Sequence, residues 1–223
     1  MIGITSVLNW NNNSLLFLNL DNAFYTSIGQ ETAIHLGKML QSNKSLEKLS
    51  LKKHSFSCDA IYVITEHLLE NNKLRVLDLS ANKIAFKGCE AIAKYLKGEF
   101  CALESLILSS NRLGHYGAKA IAEALTINKT LVHLDMIKCD IDDNGLRMIA
   151  ESLDVNETLF SLKLFWNHFD QDSLKVFHYL KNKKRRGDWF WDFVTYIVDD
   201  HFEMAYYETK IAYDVLVEKT YYI

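Results

Sequence analysis

Proline is absent from the 223-residue sequence, where average usage of about 5% would place roughly eleven. PxxP ligands and stiff proline linkers are therefore excluded. Cysteine is sparse, and Cys58, Cys89, Cys101 and Cys139 form no CxxC pair. Neither a zinc ribbon nor a thiol-redox motif is indicated, and a reduced intracellular chain is expected. No run reaches the roughly 18 apolar residues of a membrane span. The first residues carry no basic stretch and soon reach polar Asn11–Ser14, unlike a secretory leader. Charge nearly cancels, at −3 overall, which argues against a dedicated nucleic-acid binder.

Catalytic signatures are also missing. There is no GxSxG, GxxxxGK[ST] or GxGxxG, so neither a nucleophile elbow nor a phosphate-cradling loop is indicated. Asp199, Asp200, His201 and Glu203 form a sequence cluster of metal-ligand types. They straddle a turn, and adjacent strand residues point apart, so no metal site is expected there. No catalytic residue and no cofactor are expected.

What the sequence does have is a repeat. Leu74–Ile84 reads LxxLxLxxNxL, and Leu103–Leu113 reads the same up to a conservative change. Further copies start at Leu131 and Leu159, and weaker ones at Leu46 and Leu15, at intervals close to 28 residues. The first copy carries an insertion between Ala23 and Thr32. A second, helical half follows each copy: Gly88–Leu96 matches Gly117–Leu125 and Gly145–Leu153. Isoleucine and leucine four apart make one apolar stripe that must pack inward. The glycine is read as easing the entry from loop to helix. Four Asn-x-Ser/Thr sequons begin at Asn12, Asn43, Asn128 and Asn156. The last three stand just ahead of a repeat's first leucine, as Asn12 does ahead of Leu15, and are read as turn chemistry. The asparagine of the motif falls at Asn82, Asn111 and Asn167, with Ala23, His54 and Cys139 at the same place in the other copies.

The pattern resembles the leucine-rich repeat family, specifically its ribonuclease-inhibitor-like class, over about residues 15–180. The resemblance implies an α/β fold, a right-handed solenoid of about six 28-residue repeats. Its parallel sheet lines a concave side and its helices a convex one. In the family, Asn or Cys at the motif position bonds the backbone of the adjoining turn; Ala23 and His54 depart from this, and His54 is read as filling the position rather than binding metal. Residues 1–14 read as the end of a truncated preceding repeat. That leaves an exposed N-terminal edge, expected to meet a partner or a missing repeat. Residues 181–187 read as a basic connector and 188–223 as an aromatic C-terminal cap, a β-hairpin plus tail. In the hairpin, alternation in Trp189–Val198 and His201–Tyr207 flanks an Asp199-Asp200 turn. Ile197–Tyr206, with Trp166–Asp170 before it, resembles the end of the leucine-rich repeat-containing protein 34 group. Asp200 stands where that group has glycine. This resemblance implies a non-enzymatic protein of ciliated or germ-line cells.

On a concave strand the non-leucine positions are expected to face solvent. The later repeats then bring Ile107, Ile137, Phe165 and Trp166 beside His133, Asp135 and Lys163. An apolar patch with aromatic anchors and a charged rim is what a binding hot spot looks like. Phe165 and Trp166 sit either on that surface or beneath the hairpin. The basic run Lys181, Lys183, Lys184, Arg185 and Arg186 reads as a charged helix end, a nuclear-import address or a patch for an acidic partner. The expected function is a non-catalytic cytoplasmic scaffold gripping another protein with its concave face; the group resemblance points to a ciliary or axonemal assembly. Membrane and nucleic-acid partners are not expected. Two alternatives stay open. Activating proteins of Ran-type GTPases share the repeat class, and Arg112 is the only arginine in a comparable loop. A sensor or effector module is the other.

Overall fold

A computed structural model describes residues 14–22, 30–183 and 190–206. Strand and helix alternate throughout. β1 (Phe17–Asn19) precedes α1 (Gln30–Ser42), β2 (Lys48–Ser50) precedes α2 (Cys58–Leu68), and β3 (Val76–Asp78) precedes α3 (Phe86–Leu96). Then come β4 (Ser105–Ile107), α4 (Gly114–Leu125), β5 (His133–Asp135), α5 (Asp143–Val155), β6 (Ser161–Lys163) and α6 (Gln171–Lys183). β7 (Phe190–Trp191), β8 (Phe193–Val198) and β9 (His201–Tyr206) close the described chain.

The first seven strands form one parallel sheet in sequence order. The register never slips: Leu49, Leu77, Leu106, Leu134 and Leu162 stand side by side. All five are buried. A three-residue strand with a central leucine sends that leucine to one face and its neighbours to the other. The helical stripe meets the leucine face, with Ile92, Leu96, Ile121, Leu125, Ile149 and Leu153 all withdrawn from water. A unit of this size cannot bury such a stripe alone, so each repeat is stable only against its neighbours.

The helix glycines are used differently from the expectation. α3 and α5 begin at Phe86 and Asp143, so Gly88 and Gly145 lie inside the first turn rather than ahead of it. A Cβ on Gly145 would come 2.8 Å from Ile141 Cγ2 and 2.9 Å from Ala118 Cβ. These glycines serve close packing of helix on helix and loop, not a special backbone conformation.

The motif asparagines bind the turns together. Asn111 Nδ2 donates to Leu79 O at 3.0 Å and Leu108 O at 2.7 Å, and its Oδ1 accepts from Ile84 N at 3.0 Å. Asn82 and Asn167 repeat the pattern. Cys139 substitutes with its thiol, 3.2 Å from Leu108 O. His54 occupies its rung too, with Nε2 2.6 Å from Leu20 O. Ala23 lies outside the described residues.

The C-terminal reading needs one correction. Phe190-Trp191 is not an arm of the hairpin. It is a seventh parallel strand, pairing Phe190 with Ser161 and Trp191 with Leu162. Trp191 thereby takes the place of the central leucine and Phe193 that of the next one, and both are buried. The antiparallel hairpin is β8 with β9, turning at Asp199-Asp200. It lies against α6, where the Gln171 side chain both donates to Phe202 O and accepts from Phe202 N at 2.8 Å. Lys181 and Lys183 belong to the last turn of α6. Lys183 pairs with Asp154 at 3.0 Å, and the Lys181 ammonium stands 5.9 Å from the Trp191 ring centre. Lys184, Arg185 and Arg186, the segment before Ser14 and the tail after Tyr206 lie outside the described residues.

Candidate interaction surface

Strands β1 to β6 each lead into a turn through a left-handed residue: Asn22, Lys53, Ala81, Ser110, Lys138 and Trp166 have φ between 51° and 62°. Side chains at these exits stand at the rim of the sheet. Glycine or asparagine meets that conformation at least cost, so a tryptophan there calls for another reason. Trp166 is 72% exposed. Its ring meets Phe165 edge-on at 5.3 Å, and Phe165 in turn packs on Tyr206 of β9 at 4.7 Å. The hairpin therefore covers part of Phe165 and leaves Trp166 in water. Tyr206 is half exposed and extends the aromatic surface. Ile137 and Lys163 lie beside it, each partly exposed.

Three residues expected at this surface are not on it. Ile107 is 5% exposed, His133 1% and Asp135 9%. The rows are in register, with His133 between Ser105 and Ser161 and with Ile107 and Asp135 adjacent in the next row. At the roughly 4.8 Å spacing of paired strands, side chains of one row shield each other's flanks. Asp135 is tied down further: its carboxylate accepts from the Ser109 hydroxyl and from Ile137 N. Burial, the dominant influence, raises its pKa above the ordinary carboxylate value. His133 Nδ1 lies 2.7 Å from Ser161 Oγ. Burial, with Lys163 as the lesser cause, pushes its pKa down to about 4.

His133 should therefore give the chain an acid-sensitive step. The unfolded chain takes up the imidazole proton near pH 6.5, whereas the folded chain refuses it until about pH 4. Between these values the unfolded state binds more protons. Stability present above pH 6.5 is thus lost as pH falls through this window, by about 3 kcal/mol in all. Urea unfolding of the wild type and His133→Asn at pH 7 and at pH 4.5 tests this. The difference between the two chains should change across that range, while contributions from carboxylates common to both cancel.

One structural residue escaped the sequence reading. Asp192, buried between β7 and β8, accepts from Leu164 N at 2.8 Å and Phe165 N at 2.9 Å. Burial outweighs these bonds and raises its pKa to about 6. It holds the backbone that carries Phe165 and Trp166. A signal was present: Asp78 and Asp135 stand in the same column of the repeat and also accept from backbone amides two residues on.

Among known proteins, a family model described as Leucine Rich repeat matches residues 70–93, 101–122 and 128–150. Those are the repeats that contain β3, β4 and β5.

The chain carries leucine-rich repeats.

Leucine-rich repeat-containing protein 34 of Mus musculus is 31% identical over 205 residues, 92% of this chain and 49% of that protein. NACHT, LRR and PYD domains-containing protein 14 of Mus musculus is 32% identical over 136 residues, 60% of this chain and 13% of that protein. This leucine-rich repeat chain thus spans about half the length of the first and a small part of the second. Among solved structures, Leiomodin-1 Actin-Binding Site 2 superposes with a TM-score of 0.57 at 21% identity, covering 68% of this chain and 86% of that one. The tropomodulin C-terminal domain of Caenorhabditis elegans gives 0.55 at 19%, covering 69% and 91%. At such identities the likeness is one of fold. Repeats of this family generally serve as protein-interaction modules rather than catalysts.

Proposed function

We propose that the chain is a non-catalytic interaction module that grips a partner protein at the C-terminal rim of its sheet. The surface consists of Trp166, Phe165, Tyr206, Ile137 and Lys163. The observation that carries this reading is the tryptophan held 72% exposed in a left-handed turn. Large aromatics presented on a rigid frame lose little entropy on binding and dominate interface energies. The rungs on both sides of Trp166 supply that rigidity.

An intracellular location goes with the proposal. Cys139 serves its rung as a thiol donor, and burial pushes its pKa up to about 12, a role that suits a reducing compartment.

The test is affinity capture from native lysate with the wild type beside Trp166→Ala and the Ile137→Ala, Trp166→Ala double variant. Hot-spot truncations cost about 2 kcal/mol or more, some 30-fold in affinity, so captured partners should be lost. The melting temperature should be unchanged for Trp166→Ala, an exposed residue. Retention of the same partners by both variants moves the site elsewhere. Capture of a small GTPase whose hydrolysis the chain accelerates replaces the scaffold reading with a regulatory one.

A further inference from the structure

A second feature of the rim leads towards the partner's chemistry. The loops after four consecutive strands each present one exposed cation: Lys53 after β2, Lys83 after β3, Arg112 after β4 and Lys138 after β5. The loop after β6 presents Trp166 instead. Lys53 and Lys138 stand immediately before the rung residue, and Lys83 and Arg112 immediately after it.

The backbone under all four is pinned to a neighbouring repeat. Lys53 N donates to Ser80 O at 3.2 Å and Lys83 N to Phe56 O at 3.0 Å. Arg112 N donates to Ile84 O at 2.9 Å and Lys138 N to Phe165 O at 3.0 Å. The charges themselves are uncommitted. Among the described residues, the ion pairs of lysine and arginine use Lys52, Arg75, Lys94 and Lys183. Two acids of the adjoining loops contact histidines: Asp140 lies 3.0 Å from His168 and Asp142 3.1 Å from His115. A chain whose overall charge is −3 thus concentrates unpaired positive charge along one edge.

Spacing narrows what would fit. Successive strands lie about 4.8 Å apart and packed helices about 8–10 Å apart. The strand-to-helix loops fall between these limits. An extended peptide repeats its side chains on one side every two residues, about 6.7 Å, which is within that interval. We propose that the rim binds an extended acidic segment of the partner protein. Carboxylates at alternate positions meet Lys53, Lys83, Arg112 and Lys138, and an apolar residue at the end of the acidic run packs on Trp166. This rests on the reading of the Trp166 cluster as the partner-binding surface and adds the partner's chemistry to it. A nucleic-acid strand is the less suitable occupant: the row offers one cation per turn over four turns, and Trp166 as its aromatic platform lies only at the end.

The probe is a fluorescein-labelled peptide of alternating glutamate and threonine flanked at both ends by Leu-Phe, followed by anisotropy with the whole chain. The same peptide with glutamine for glutamate should bind at least about 10-fold more weakly, since each complementary pair contributes a fraction of that factor. The Lys83→Glu, Arg112→Glu double variant should weaken the glutamate peptide by about 10-fold or more and leave the melting temperature in place. Raising NaCl from about 50 to 300 mM should weaken it as well. Equal binding of the two peptides, or indifference to the charge reversals, overturns the inference. So does a labelled oligouridine that binds more tightly and is lost in the same variant. The two readings separate cleanly in capture from lysate. Partners lost by Trp166→Ala but kept by the double charge reversal defeat the acidic-segment inference and leave the interaction surface standing.

Discussion

Asn111→Ala should lower the unfolding free energy by about 3–5 kcal/mol, because one truncation strips partners from three buried backbone groups, each costing roughly 1–3 kcal/mol when unmet. Its amide donates to Leu79 O and Leu108 O and accepts from Ile84 N, so the third and fourth turns lose a shared rung. Asn111 is itself buried, as are Leu79, Leu108 and Ile84, whose backbone groups it serves. The position is central in the sheet. In a solenoid the stability is a sum of nearest-neighbour terms, and a broken central interface divides the array into two shorter ones. Chemical denaturation should show the loss together with a broadened or two-step transition. Cys139→Ala is the internal comparison. A thiol is a weak donor, so that rung should cost about 1–2 kcal/mol, the removed group being small. An Asn111→Ala loss below about 1 kcal/mol would mean that water or a neighbour satisfies the three groups.

The rung that makes this prediction was legible in the sequence, and the contrast with what was not legible is physical. LxxLxLxxNxL writes its leucines and its asparagine at fixed offsets, so the strand, its buried face and its backbone-binding amide are all local facts. A second ladder was only half visible. Asn43, Asn128 and Asn156 read as turn residues because their Oδ1 atoms accept from amides two and three residues on. Their wider role is carried by Nδ2. Asn128 donates to Leu96 O and Asn156 to Leu125 O, both at 2.7 Å, one repeat earlier. Asn71 does the same without a sequon, and Phe100 interrupts the series. A carbonyl 31 or 32 residues away carries no sequence signal, because any residue supplies one.

The candidate surface was readable in part for a related reason. Column positions follow from register, and Ile137, Lys163, Phe165 and Trp166 were grouped on that basis; all four are at least partly exposed. Exposure does not follow from register. Ile107, His133 and Asp135 share the columns and are buried, since burial depends on the height and bonding of neighbours across the rows. The seventh strand was hidden for another reason. Phe190-Trp191-Asp192-Phe193 plays the part of the leucine motif with aromatic residues and an acid, and neither leucine nor asparagine marks it.

That aromatic substitute for a repeat sets up the second large effect. Trp191→Ala should cost about 3–5 kcal/mol, as expected for truncating a buried large aromatic. The indole is buried. It meets Phe177 edge-on and Phe193 in a stacked arrangement, both at 5.4 Å. The cavity would open at the end of the array, so its consequences should differ from those of Asn111→Ala. In a chain of nearest-neighbour units, weakening the terminal interface releases that unit first. β7 would detach and take with it Asp192, whose carboxylate satisfies Leu164 N and Phe165 N. Hydrogen exchange reads this directly. The amides of Leu164 and Phe165 should exchange about 100-fold faster in Trp191→Ala, as a loss near 3 kcal/mol requires. Those of Leu79 and Leu108, bonded to Ile107 O and Asp135 O in the middle of the sheet, should keep their protection. Equal acceleration at both places would show that the solenoid unfolds as one unit and that the tryptophan stabilises the whole array. Acceleration confined to the end would show that Trp191 and Asp192 together hold in place the turn that carries Trp166. Trp191→Ala would then weaken partner binding even though Trp191 itself is buried, by loosening the frame on which the exposed tryptophan stands.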